Sequence, residues 1–283
     1  MAASGSDSEH LEEDERAQVA RFEPLRATGI HEILRKEGES ELERALPALL
    51  WTGLAAGLSM GFSFSGQALL HSGLPDLPWR HLVASFGYAI GFVIIVMGRQ
   101  QLYTESTLTA VLPVLTRRDR KTAMATLRLW GSVLAANITG TWLFAAALAY
   151  GEPFGPDVAA SLRALAGEVG NDPFGTTVFK GIFAGWLIAL MVWLLPSART
   201  AKLWVIILIT YLVALARLPH IIAGSAEVAC AVLTGIKTPS QYWLDFFVPT
   251  LIGNSLGGVC LVAMLNHAPI APELEGKEEK GSS

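Results

Sequence analysis

The stretch Ala216-Arg217-Leu218-Pro219-His220-Ile221-Ile222-Ala223-Gly224-Ser225-Ala226-Glu227 decides the fold. It interrupts an apolar run that begins near Leu203 and resumes to Leu233. Leu203 to Leu215 alone falls short of the roughly 20 apolar residues a helix needs to cross a bilayer. The continuation is long enough, but it carries an arginine, a proline, a histidine and a glutamate. A charge at bilayer depth costs several kcal/mol on insertion scales. Pro219 has no N–H to give and disfavours helix at Leu218. Two half-helices meeting at a break are therefore expected. Broken backbone is tolerated at that depth only where protein or a water-filled cavity surrounds it. Taken alone, the break also reads as a proline kink around a buried, satisfied histidine.

Composition sets the context. Of 283 residues, 52% are hydrophobic and 16% charged, against about a quarter charged in soluble domains. That marks an integral membrane protein. The net charge of −4 is slight and implies no nucleic-acid partner. Cys230 and Cys260 lie in apolar runs and read as small packing residues, not a disulfide framework. The acidic start, MAASGSDSEHLEEDER, has neither the basic nor the apolar region of a secretory signal.

Outward from the break, the chain divides into a polar tail with a short amphipathic helix (1–41), a membrane region (42–268) and a charged tail (269–283). Six crossings are expected: 46–71, 81–115 with an interruption, 127–150, 174–195, 203–233 with the break above, and 243–265. Small residues repeat every fourth position in the first (Gly53, Gly57, Gly61) and the last (Gly253, Gly257), a spacing that lets helices approach closely. Residues 151–173 read as a loop. Basic residues concentrate in the N-terminal tail, at 117–121, at 199–202 and in the C-terminal tail, which places both termini in the cytoplasm of a cell inner (plasma) membrane.

The interruption of the second crossing is Arg99-Gln100-Gln101-Leu102-Tyr103-Thr104-Glu105. It lies about 118 residues before the break at His220. Each break falls in the second of three crossings, so the repeats (about 42–150 and 174–268) are inverted. Paired breaks in inverted repeats point to a transport site at the midplane. Half-helix N-termini carry about half a positive charge, so an anion is the natural guest.

Leu102-Tyr103-Thr104, His220 with the half-helix after it, Gly181-Ile182, and Ile252-Gly253-Asn254 with Gly257-Gly258 together resemble the formate/nitrite transporter family over residues 40–268. The resemblance implies an all-α, aquaporin-like protomer of six transmembrane helices, three plus three, with broken second and fifth helices. It implies a homopentamer in which each protomer has its own pore for formate, nitrite, lactate or hydrosulfide. It matches His220 to the family's pore-centre histidine and Thr104 to its first-break threonine, and makes Leu102 and Tyr103 the apolar constriction.

The chemistry of the residues agrees. An anion in a narrow apolar pore loses hydration it cannot recover, and protonation removes that cost. Histidine titrates near physiological pH and can exchange the proton. Thr104 can hold the imidazole tautomer or the solute; alternatively it bonds back to its own helix turn. Many members carry a vestibule lysine about a dozen residues before Gly181, and an asparagine at Gly185; this chain has neither, and Lys180 is expected half a helix deeper. Buried charges need partners, so Arg99, Glu105, Arg217 and Glu227 are expected to form two Arg–Glu pairs related by the pseudo-two-fold. The other reading makes the arginines anion attractors in place of the lysine. No Asn-Pro-Ala supports a neutral-solute pore, and no His-Glu-x-x-His or Gly-x-Ser-x-Gly supports an enzyme. No cofactor or metal is expected. A protein of this fold with a closed pore, in a structural or sensory role, is the alternative.

Overall fold

A computed structural model describes residues 25–264 and the single positions 12, 268 and 269. Most of both tails, including 13–24 of the expected amphipathic region, lies outside the described residues. Every regular element described is helical. We number them α1 (Ala27–Glu43), α2 (Leu46–Gly73), α3 (Arg80–Met97), α4 (Tyr103–Thr109), α5 (Val111–Arg117), α6 (Arg120–Gly151), α7 (Pro156–Glu168), α8 (Phe174–Leu194), α9 (Lys202–Leu215), α10 (Ile221–Leu233) and α11 (Val248–Leu256). By length and composition α2, α3, α6 and α8 can cross a membrane. At about 1.5 Å per residue the 32-residue α6 is some 48 Å long, more than a hydrocarbon core.

Local chemistry sets the boundaries. Asp119 caps α6, accepting from the Thr122 amide at 2.9 Å. Pro156 opens α7 directly after Gly155, whose φ of +84° suits glycine. Residues 151–173 are thus not simply a loop: a helix lies within them. Pro249 cannot donate to Asp245, and the turn before it, Tyr242–Phe247, widens to a π-helix. A second π-helical stretch, Gly257–Met264, follows α11. Cys230 is buried, whereas Cys260 is exposed and does not pack inside the chain.

The inverted repeat is written in atomic detail. α3 ends with Arg99 at φ 51°, and α9 ends with Arg217 at φ 50°. Each end closes with the same pair of bonds: Arg99 N to Val96 O and Gln100 N to Ile95 O in one, Arg217 N to Ala214 O and Leu218 N to Val213 O in the other. That is a Schellman closure, with arginine where glycine is usual. The long helices pack equivalently. A Cβ on Gly57 would strike the Asn137 backbone, and one on Gly185 the Asn254 backbone. A Cβ on Gly140 would strike α2, and one on Gly257 would strike α8. Gly185 therefore has no room for a side chain. The chain is an all-helical, aquaporin-like inverted repeat with a broken second segment in each half.

Candidate functional site

Each break is held by one buried asparagine. Asn137 on α6 accepts the Tyr103 amide (2.9 Å) and donates to the carbonyls of Gly53 (2.7 Å) and Gln101 (2.9 Å). Asn254 on α11 accepts the Ile221 amide (2.9 Å) and donates to Gly181 (2.9 Å) and Pro219 (3.0 Å). Breaking a helix frees amide and carbonyl groups that need partners. One amide side chain serves two of them in each half and spends its third bond on a carbonyl of an intact neighbouring helix, Gly53 or Gly181. Sequence reading singled out Asn254 only as part of a motif and missed Asn137. The signal is a buried asparagine in the third crossing of each half.

These anchors bring the two half-helix starts together. Thr104, in the first turn of α4, meets His220, the N-cap of α10: Oγ1 to Nε2 is 2.9 Å, and both residues are about 1% exposed. The Ala223 amide donates to His220 Nδ1 at 3.2 Å. Nδ1 is thus the acceptor, so the proton resides on Nε2 and is donated to Thr104. The Thr104 hydroxyl serves the histidine rather than its own helix turn. Phe92 stands edge-on to the imidazole with centroids 5.1 Å apart. Leu102 and Tyr103 are buried beside it, and the Tyr103 hydroxyl reaches Ser255 Oγ at 2.8 Å.

A cavity of about 510 Å³ opens at one face and ends at His220. Tyr88, Glu168, Lys180, Arg217 and Glu227 are among its walls. The opposite face is covered by α1. Thr109 donates to Glu41 at 2.7 Å, Arg44 donates to Gln101 at 2.8 Å, and Gly38 lies so close to the Thr109 carbonyl that no side chain fits. Burial pushes the Glu41 carboxyl up to about 7, against the lowering effect of the Thr109 bond. On α4, Glu105 Oε1 is buried with no hydrogen-bond partner among the described residues.

The expected Arg–Glu pairs do not form. Arg99 pairs with Glu37 of α1 at 3.0 Å, and Arg217 with Glu168 at the end of α7 at 2.9 Å. The reason is geometric: each break loops outward, so its arginine reaches a face while the glutamate after it points inward. The arginines are solvated ion pairs at opposite faces, and Glu105 and Glu227 have no arginine. Lys180 is not half a helix deep either; it pairs with Asp172 at 2.6 Å near the start of α8, in the vestibule wall. Among the described residues no three His, Cys, Asp or Glu side chains gather as metal ligands.

The model for the formate/nitrite transporter family matches residues 28–268. The chain is 39% identical over 280 residues to the inner membrane protein YfdC of Escherichia coli K12, covering 97% of this chain and 90% of the relative. It is 23% identical to the formate channel BtFdhC of Bacillus thuringiensis, covering 84% and 93%. Among solved structures, a pentameric formate channel with formate bound superposes with a TM-score of 0.67 at 20% identity, covering 84% of this chain and 99% of that one. An ion channel of the same family gives 0.72 at 17% identity, covering 83% and 96%. With its paired breaks, its asparagine anchors and its apolar helices, this multi-pass membrane chain belongs to the formate/nitrite transporter family, a family of transporters and not of enzymes.

Proposed function

We propose that the protein is a pore for small monovalent weak-acid anions, with formate or nitrite as the chemical type. In this reading the membrane domain (42–268) makes six crossings, both termini are cytoplasmic, and five copies form a ring. Its relatives named as formate channels and its fold neighbour, a pentameric formate channel, support it. The observation that carries it is the 2.9 Å contact of Thr104 with His220 at the blind end of the vestibule. Two half-helices begin there, so the positive end of α10 faces an arriving anion. Leu102, Tyr103 and Phe92 beyond it form the apolar stretch that a neutral acid crosses more readily than its anion.

Proton exchange at His220 has a structural condition. A second proton must go to Nδ1, and it displaces the bond from the Ala223 amide. The substitution that separates roles is therefore His220→Asn, because asparagine is a good N-cap and keeps the Ala223 bond while removing the titratable ring. In proteoliposomes loaded with a pH dye, the parent is expected to carry formate or nitrite with lumenal acidification. His220→Asn is expected to lose at least about tenfold of this flux, in line with loss of one proton-transfer group, at unchanged oligomer size. Undiminished flux in the variant defeats the role of His220. A parent that moves none of formate, nitrite, lactate, acetate or hydrosulfide favours the closed-pore reading, to which the sealed contact at Thr104 and the α1 cover already lend weight.

A further inference from the structure

Glu227 lies seven residues beyond His220 on α10, two helical turns and about 10 Å farther out, on nearly the same face. Both residues border the vestibule, so a solute entering from that face meets Glu227 first. Glu227 is 8% exposed and has no hydrogen bond or ion pair among the described residues. The other charged groups of the vestibule are committed to one another. Asp76 pairs with Arg80 (3.4 Å), Asp172 with Lys180 (2.6 Å) and Glu168 with Arg217 (2.9 Å).

Its histidines are committed too. The Arg80 guanidinium, 3.3 Å from His71 Nε2, needs that nitrogen as an acceptor, which leaves the His71 proton on Nδ1, facing Ser161 Oγ at 3.0 Å. His81 Nε2 donates to the Leu215 carbonyl at 3.0 Å. His220 spends both nitrogens on Thr104 and Ala223. Tyr88, on α3, lines the same space. One buried carboxyl is left over, without a counter-charge, on the path.

We propose that Glu227 is the proton-loading group of the vestibule: it holds a proton while an anion enters, and gives that proton to the anion before the solute reaches His220. The inference rests on the anion-pore reading above. As a carboxylate, Glu227 repels an anion and leaves the vestibule with one uncompensated negative charge. As a carboxylic acid, it offers an O–H to the solute. In the transfer, the Glu227 O–H bond breaks, an O–H bond forms on the solute oxygen, and Glu227 remains as carboxylate. A proton from vestibule water then restores it. One anion and one proton move together, and no net charge crosses.

The test uses the full-length protein in proteoliposomes with formate as the probe, recording lumenal pH and the effect of an imposed membrane potential. The parent is expected to carry formate electroneutrally, with a rate that falls about tenfold per pH unit once Glu227 is ionised. Glu227→Gln is expected to flatten this pH profile and to make the residual flux respond to potential. Glu227→Asp, shorter but titratable, is expected to restore a pH profile. In lightly buffered detergent, formate binding should draw a proton onto the parent and onto His220→Asn, but not onto Glu227→Gln. A pH profile and proton uptake in Glu227→Gln equal to the parent's overturn the proposal. So does formate binding to the parent with no proton uptake, which decides the matter even where the glutamine variant does not assemble. No flux in the parent defeats the anion-pore reading itself; flux in the parent with an unaltered Glu227→Gln defeats this inference alone.

Discussion

At the scale of single residues, two asparagines hold the two breaks in place. Asn137 and Asn254 each satisfy one amide and one carbonyl at a break, and tie that break to a carbonyl inside a neighbouring intact helix, Gly53 or Gly181. Alanine at either site strands two buried groups at the break, and each costs about 1–3 kcal/mol. Asn137→Ala and Asn254→Ala are expected to destabilise by similar amounts, roughly 3–5 kcal/mol after relaxation. Apparent Tm in detergent, measured for both and for an exposed control such as Thr139→Ala, checks this; a loss at one site only would mean that the halves are not equivalent. The break at His220 was legible in the sequence as a proline and charges inside an apolar run, whereas Thr104 was singled out through the family resemblance. Asn137 was not, because a lone asparagine in a long apolar helix looks the same whether it serves its own turn or a distant backbone. The Arg–Glu pairs were misjudged for a related reason: spacing along a chain places residues near a break, but not on which side of it they emerge.

At the scale of elements, the two breaks could be read from the sequence, whereas α7 and the docking of α1 could not. α7 carries a Gly- and Pro-rich approach that resembles a loop until its own helical turn is seen. α1 reads as an amphipathic surface helix, but its inner face covers the pore's far end, with Glu41 on Thr109 and Glu37 on Arg99. Thr109 is the two-fold counterpart of Glu227, so a carboxyl borders the path at each end, one supplied from within the repeat and one by α1. The Glu41 pKa is raised from 4.5 to about 7, mainly by burial. A raised carboxyl favours the docked state most fully below its ordinary value, and that contribution is lost as pH rises through about 7. Docking of α1 is thus expected to be tighter at pH 6 than at pH 8. Hydrogen exchange of residues 27–43, corrected for intrinsic rates, should show greater protection at the lower pH. Glu41→Gln should remove the difference; its neighbours Glu37 and Glu39 are ion-paired with Arg99 and Arg117. Equal protection at both pH values would separate Glu41 from the docking.

At the scale of the whole molecule, everything the proposed pore needs comes from one chain. Thr104 and His220, the asparagine anchors and the vestibule walls are all contributed by a single protomer. The outward surface is of another kind: Trp51, Phe179, Trp204 and Leu208 are large, apolar and more than half exposed, on α2, α8 and α9. Such a surface must face lipid or a neighbouring copy. In the ring proposed above, native mass in detergent is expected near 150 kDa, about five times the 30.3 kDa chain. If assembly serves only to seal these apolar faces, the pores act independently. Co-reconstituting parent and His220→Asn subunits at known ratios then gives formate flux that falls in direct proportion to the variant fraction. A shared central pathway, or protomers that open together, predicts a much steeper fall, since one variant subunit would then silence its neighbours. A clean monomer by native mass removes the ring, but leaves the proposed pore standing, because Thr104, His220 and the asparagine anchors lie on one chain.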